Sequence, residues 1–213
     1  MKTMIAIPCM DTVPYEFAQS MLSLEKGDVS VYFRANSLVY DSRNIISLTA
    51  IEQGFDRIMW FDSVMIFIPN TMKTLHADMD QLGNDMVTGL YFKRCGKNDP
   101  VIYDQLDMPT EDINGNSVRR IHEYHDYPKD KLFPVSACGF GCVLTSTAMI
   151  KDVWDHFGPA FAPFTWAGED LSFCYRARKL GYSIYCDSRV QCGHVGKHIF
   201  TQDDFIQNRG DAG

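Results

Sequence analysis

Arg57-Ile58-Met59-Trp60-Phe61-Asp62-Ser63-Val64-Met65 reads as a buried strand that ends abruptly in a carboxylate. Ile58 to Phe61 form a continuous apolar run, the pattern of a strand covered on both faces. A charge at the end of such a strand is costly unless water, a cation or a ligand reaches it. Open α/β sheets bind their ligands at that carboxyl edge. Asp62 is therefore a candidate site residue, set against the plainer reading of a turn-forming surface aspartate. Two later features favour the site: the acidic cluster Gly168-Glu169-Asp170, and the histidine of Cys192-Gly193-His194-Val195-Gly196.

On either side of that stretch, apolar spacing predicts strands at 4–8, 29–34, 57–61 and 86–92, alternating with helices at 15–24, 41–53 and 69–82. Pro8 stops the first strand. Asp41 or Ser42 would cap the second helix and Gly54 would end it, while Pro69 would open the third near its first turn. A β-α-β-α-β-α-β order predicts an α/β fold with a mostly parallel sheet and crossover helices. Residues 93–130 are polar and turn-rich, and 101–103 with 118–123 would make a hairpin around Asn114-Gly115-Asn116, a small excursion after the fourth strand. A strand within 134–145, helices at 147–157 and 168–180, short strands at 183–186 and 189–192, and a fraying tail from 201 complete the reading.

The 213 residues suit one domain with a sizeable core, and 46% hydrophobic residues mark a globular chain. A formal charge of −7 argues against broad nucleic-acid binding, which needs a basic surface, but leaves room for a phosphate ligand. Seven cysteines at irregular spacing, no opening signal peptide and no apolar stretch of membrane-spanning length point to a cytoplasmic protein with reduced thiols. Cys138 and Cys142 read as buried strand thiols. Cys186, Cys192 and His194 offer a structural-zinc alternative, against which stands the lack of any paired C-x-x-C.

Taken in order, these pieces resemble the nucleotide-sugar glycosyltransferases of the Rossmann-related GT-A fold, especially the compact inverting enzymes of family 2. The resemblance covers roughly residues 4–196. Residues 4–8 match the first strand, after which the nucleotide base sits. Ser42-Arg43-Asn44 resembles the Arg-Asn that opens the second helix. Trp60-Phe61-Asp62-Ser63-Val64-Met65 stands at the Asp-x-Asp motif. Thr88-Gly89-Leu90-Tyr91, Gly139-Phe140-Gly141-Cys142-Val143-Leu144, Gly168-Glu169-Asp170 and His194 follow in the family's order. The resemblance implies a single GT-A-like domain over 1–213, with a nucleotide-binding half at 1–92 and an acceptor half at 93–200.

It also implies roles. Pro8, Asp11, Arg43 and Asp62 would bind the nucleotide, a UDP-sugar first among donors. Asp62 and His194 would hold a divalent cation, manganese or magnesium, since carboxylate and imidazole together suit such an ion. Asp170 or Glu169 would take the proton of the acceptor hydroxyl, although acidic residues also favour a helix start for its dipole alone. Trp166 would stack on an acceptor sugar or serve as a core or lid aromatic. The acceptor itself is open: a glycan, a lipid-linked sugar, a protein or a nucleobase.

The departure from the family is Val64, where the second acid of the motif belongs. Valine ligates nothing. Three readings follow: weak metal binding through Asp62, His194, water and diphosphate; neutralisation by Arg43, Lys93, Arg94 or Lys197; or an inactive variant that binds a glycan or partner without turnover. The favoured reading is a retained nucleotide site with a weakly bound cation. A nucleotidyltransferase is the other enzyme class, disfavoured because Pro8-Cys9-Met10-Asp11-Thr12-Val13-Pro14 lacks glycine and basic residues. His122 and His125 read as solvated rather than metal-binding.

Overall fold

The computed structural model describes residues 1–83, 85–94, 98–111, 114–196, 199–203 and 205–206. Its centre is a seven-stranded sheet of β1 (Thr3–Pro8), β2 (Ser30–Arg34), β3 (Arg57–Phe61), β5 (Met86–Leu90), β8 (Leu132–Val135), β10 (Cys142–Ser146) and β11 (Ile184–Gln191). Their spatial order is β2-β1-β3-β10-β5-β11-β8. Strands β2, β1 and β3 run parallel, as do β5 and β11, whereas β10 is antiparallel to both its neighbours and β8 to β11. The sheet is thus mixed and mostly parallel, flanked by helices as expected.

Alternation along the buried strands divides the core into two layers. Met4, Ala6, Ile58 and Trp60 face one cluster; Ile5, Ile7, Met59 and Phe61 face the other. The helices are α1 (Tyr15–Ser23), α2 (Val39–Glu52), α3 (Thr71–Leu82), α4 (Thr147–Phe157) and α5 (Glu169–Lys179). Helix α4 starts where Ser146 accepts a hydrogen bond from the Met149 N–H at 3.0 Å. Helix α2 starts earlier than the sequence suggested: Leu38 is its N-cap, without a side-chain bond, and Asp41 sits in the first turn, where its charge still suits the dipole. Helix α3 has Asn70 as N-cap, so Pro69 precedes the helix rather than opening it.

The remaining strands are β4 (Met65–Ile66), β6 (Ile102–Glu111), β7 (Ser117–Glu123), β9 (Ala137–Cys138), β12 (Gly193–Val195) and β13 (Ile199–Phe200). Strands β6 and β7 form the predicted hairpin, longer than its apolar residues indicated. The segment read as one strand within 134–145 is three, because Ser136 and the Gly139-Phe140-Gly141 turn interrupt it. Conversely, the two short strands expected at 183–186 and 189–192 are one, β11, whose pairing to β5 shifts register between Asp187 and Gln191. Strands β13, β12 and β4 make a small sheet against the carboxyl end of β3.

Candidate functional site

Asp62 lies directly beyond β3, and its N–H donates to the Gly141 carbonyl at 3.0 Å, fastening it to the start of β10. Its carboxylate is held from the side. Arg43, on α2, donates from Nη2 to Asp62 Oδ1 and from Nη1 to Glu169 Oε1, each at 2.7 Å. The guanidinium is only 2% exposed, so it is no helix-surface arginine. Phe140 lies beneath it, the ring centroid 5.1 Å from Cζ. Arg43 Nε is buried and has no hydrogen-bond partner among the described residues. Burial alone would lower the arginine's pKa, but Asp62 and Glu169 outweigh it and leave it raised. Asn44, next in sequence, accepts from the Phe161 N–H at 2.9 Å and ties down the loop before α5.

Asp170 follows Glu169 in the first turn of α5, and its Oδ1 accepts from the Leu171 N–H at 2.7 Å. Burial, reinforced by the Glu169 charge, raises its carboxyl to about 6. Tyr91 completes the cluster: its hydroxyl accepts from the Gly141 N–H at 3.1 Å. Burial, then the charges of Asp62 and Asp170, push that phenol well above its usual range. The turn fits the ring only because it is glycine: a Cβ on Gly139 would lie 2.1 Å from the Tyr91 hydroxyl. Tyr91 was quoted in the sequence only as part of a strand motif. The signal that would have singled it out is the one that singled out Asp62, a polar group just past the carboxyl end of a buried strand.

A pocket of about 330 Å³ opens beside Asp62, lined by Pro8, Cys9, Met10, Ser37, Val39, Asp62, Ser63, Val64, Arg94 and His194. Pro8, Asp62 and His194, three of the residues singled out from sequence, therefore share one cavity. Val64 is half-buried in its wall rather than in the core. His194, on β12, meets the Phe92 carbonyl through Nδ1 at 2.8 Å. A carbonyl only accepts, so Nδ1 carries the proton and Nε2 keeps its lone pair. Burial lowers the imidazole's pKa, which favours the uncharged ring. Among the described residues no group of three or more His, Cys, Asp or Glu side chains is placed to hold a metal ion.

Other candidates sit elsewhere. Arg43 lies behind the pocket wall, and Asp11 is exposed in the bend after β1. Trp166 is half-buried, stacked on Phe164 at 5.1 Å with Tyr175 edge-on to both. His122 pairs with Asp104 and His125 with Asp99, at 2.8 and 2.9 Å. Lys93 is bound to Glu123 at 2.7 Å, Arg94 reaches the pocket, and Lys197 falls outside the described residues. Cys186 and Cys192 are buried, as are Cys138 and Cys142.

No protein-family model and no curated protein sequence matches the chain. Solved structures do. The crystal structure of A197 from STIV superposes with a TM-score of 0.69 at 18% identity, over 96% of this chain and 92% of that one. The crystal structure of GalNAc-T7 with UDP, GalNAc and Mn2+ superposes with a TM-score of 0.55 at 11% identity, over 99% of this chain and 48% of that one. This chain thus spans about half the length of the GalNAc-T7 chain. At these identities the likeness concerns the fold, and the fold is structurally similar to that of a GT-A glycosyltransferase.

Proposed function

We propose that this chain is a glycosyltransferase that moves a sugar from a nucleotide-sugar donor, first among them a UDP-sugar, to an acceptor hydroxyl with inversion. The observation that carries this reading is the Arg43 bridge. It draws Asp62, at the end of β3, and Glu169 with Asp170, at the start of α5, together beside the pocket of Pro8, Val64 and His194. In this reading the single domain binds nucleotide with residues 1–92, through Pro8, Asp62 and the neighbouring Asp11, and acceptor with 93–200, Trp166 among them. The GalNAc-T7 structure holds UDP, GalNAc and Mn2+, which supports a nucleotide-sugar donor here.

Asp170 is the proposed base. Glu169 is engaged by Arg43, whereas Asp170 bonds only the Leu171 N–H among the described residues. A carboxyl raised to about 6 is ionised at neutral pH and still basic enough to accept a proton. It takes the acceptor's hydroxyl proton, the acceptor oxygen bonds to the anomeric carbon, and the bond to the diphosphate breaks. One displacement inverts the anomeric centre, and the nucleoside diphosphate departs with the bonding pair.

The residues present offer a divalent cation two side-chain ligands. His194 has its Nε2 lone pair available, and Asp62 has Oδ2 beyond the oxygen that Arg43 takes. Asp62 and His194 would hold manganese or magnesium, which when bound neutralises diphosphate charge. Val64 adds no ligand, so affinity without nucleotide would be weak. Arg94 is the pocket's own cation. The six described cysteines are free thiols, which supports a cytoplasmic placement.

Two observations favour a second reading, a fold that binds a glycan or partner without turnover: Arg43 already occupies Asp62 Oδ1, and Val64 stands where a second acid would help. Calorimetry with UDP, with and without manganese, tests both. The expected result is binding that manganese tightens and Asp62→Ala weakens. Absence of UDP binding would sink the transferase reading and leave only a fold that binds a glycan or partner. Binding with no UDP released from any UDP-sugar would favour the second.

A further inference from the structure

The outermost strand of the sheet, β2, pairs with β1 alone among the described residues. Edge strands of monomers usually carry charges, prolines or bulges that discourage further pairing. The centre of β2, Val31-Tyr32-Phe33, carries none of these. Val31 is 40% exposed and Phe33 51% exposed. They pair in register with Ile5 and Ile7 of β1, so they continue into solvent the sheet face that Phe17 helps to cover. Leu38 and Val39, where the chain enters α2 just after β2, are exposed as well.

One bond fixes which way the backbone of β2 points. The Arg34 carbonyl accepts from the Cys9 N–H at 2.9 Å, so Arg34, Tyr32 and Ser30 direct their backbone groups toward β1. Alternation then turns the N–H and C=O of Val31 and Phe33 outward. Two adjacent large apolar residues on one face thus coincide with the two residues whose backbone groups are free to extend the sheet.

We infer that two copies of this chain associate by antiparallel β2–β2 pairing about a two-fold axis at Tyr32, joining two seven-stranded sheets into one. In this register Val31 of each copy faces Phe33 of the other as a hydrogen-bonded pair. The outward N–H and C=O groups of both residues are satisfied twice over the axis. Aromatic with β-branched residues are favourable cross-strand pairs. Arg34 falls opposite Ser30 of the other copy, so the two arginines of the paired strands do not face each other. A two-fold contact requires a surface that complements itself. Ser30-Val31-Tyr32-Phe33-Arg34 does so about its centre, which selects a second copy over a foreign strand.

Light scattering and sedimentation of the full chain test this. At about 100 µM the wild type is expected to show twice the chain mass, falling toward the monomer on dilution. Phe33→Lys puts a charge into the apolar pair. Val31→Pro removes one outward donor and leaves the β1 ladder intact, since proline is tolerated where an edge N–H faces outward. Each should weaken self-association about tenfold or more while UDP binding and the melting temperature stay near wild type. A wild-type monomer overturns the inference, including one that instead takes up an added extended peptide along this edge. So does a dimer that both variants leave intact.

Discussion

Arg43 and Glu169 are 126 positions apart in sequence, yet a guanidinium nitrogen of one lies 2.7 Å from a carboxylate oxygen of the other. The second nitrogen of the same group holds Asp62 at the same distance. One buried cation therefore joins the end of a parallel strand to the start of a helix from the other half of the chain. Two of three neighbouring carboxylates are bonded by it, and the third, Asp170, is not.

Replacing that cation should be felt in stability before anything else. Arg43→Met is expected to destabilise the fold by about 3 kcal/mol, the low end for breaking a buried pair, because Asp62 and Glu169 keep some contact with water. Arg43→Lys should recover part of the loss, since a point charge cannot reach both carboxylates in the same geometry. Urea denaturation of the three proteins measures both differences. A loss within a few tenths of a kcal/mol for Arg43→Met would mean the bridge contributes nothing to the fold.

Asp170 should write its ionisation into the pH profile. A base works when deprotonated, so turnover is expected to rise through about pH 6. Asp170→Asn should remove that limb and lower turnover roughly 10²–10⁴-fold with donor binding nearly intact. Stability moves the other way. The folded pKa lies above its ordinary value of 3.8, so the protonated form is favoured by folding, and that contribution is lost as pH rises through about 6. The asparagine variant should accordingly be at least as stable as wild type at neutral pH. A variant that melts early at neutral pH would instead assign the carboxylate to holding the helix start.

Val64→Asp places a carboxylate in the pocket wall beside Asp62. Val64 is half-buried there, so the new charge keeps contact with water and the fold should tolerate it. The expected gain is about tenfold or more in manganese affinity, with a stronger metal dependence of UDP binding. Calorimetry and the melting temperature are read together. A stable variant with unchanged manganese affinity would remove Asp62-Ser63-Val64 from the metal-binding proposal.

A fourth expectation concerns the irregularity in β11. Asp78, on α3, and Asp187 are both buried and share Arg189, which bonds Asp78 at 2.9 Å and Asp187 at 2.8 Å. Burial, with Asp187 adding to it, raises the Asp78 carboxyl to about 7. The proton is held more tightly folded than unfolded, so this site supports the fold at low pH and gives that support up as pH climbs through about 7. Between about pH 6 and pH 8 the loss should be on the order of 1 kcal/mol, and Asp78→Asn should flatten it. Denaturation curves at the two pH values decide.

Much of this was legible because burial writes itself locally. Continuous apolar runs marked Arg57–Phe61 and the first strand, and helical spacing marked Thr147–Phe157 to the residue. Strand order was not legible. Leu144 is apolar whether its neighbour is β3 or β5, and only long-range pairing puts it between them. The same limit hid the Arg43 bridge: an arginine on a helix looks alike in sequence whether it faces water or two carboxylates. Asp62 was singled out because chain position at a strand end predicts a place in space, Pro8 and His194 because they follow the family's order, and the three line one pocket. Trp166 was a weaker inference, since an indole's chemistry suits a stack on Phe164 as well as a stack on a sugar.

The antiparallel insertion of β10 has a consequence for how the chain acquires its shape. Strands β3 and β5 are not neighbours; each meets the other only through β10, which begins at Cys142. Until that segment has been synthesised, β3 has an open flank, and Asp62 lacks the Gly141 carbonyl that anchors it. A nascent or truncated chain stopping at residue 92 would therefore expose an unpaired strand edge, apolar from Ile58 to Phe61, at the very place where the pocket is to form. Closing such distant pairings is slow, because loop entropy is lost before the contacts repay it. The chain should accordingly be most vulnerable to aggregation while its front portion waits for its middle, and the pocket should appear late and all at once rather than growing with the strand that bears its aspartate.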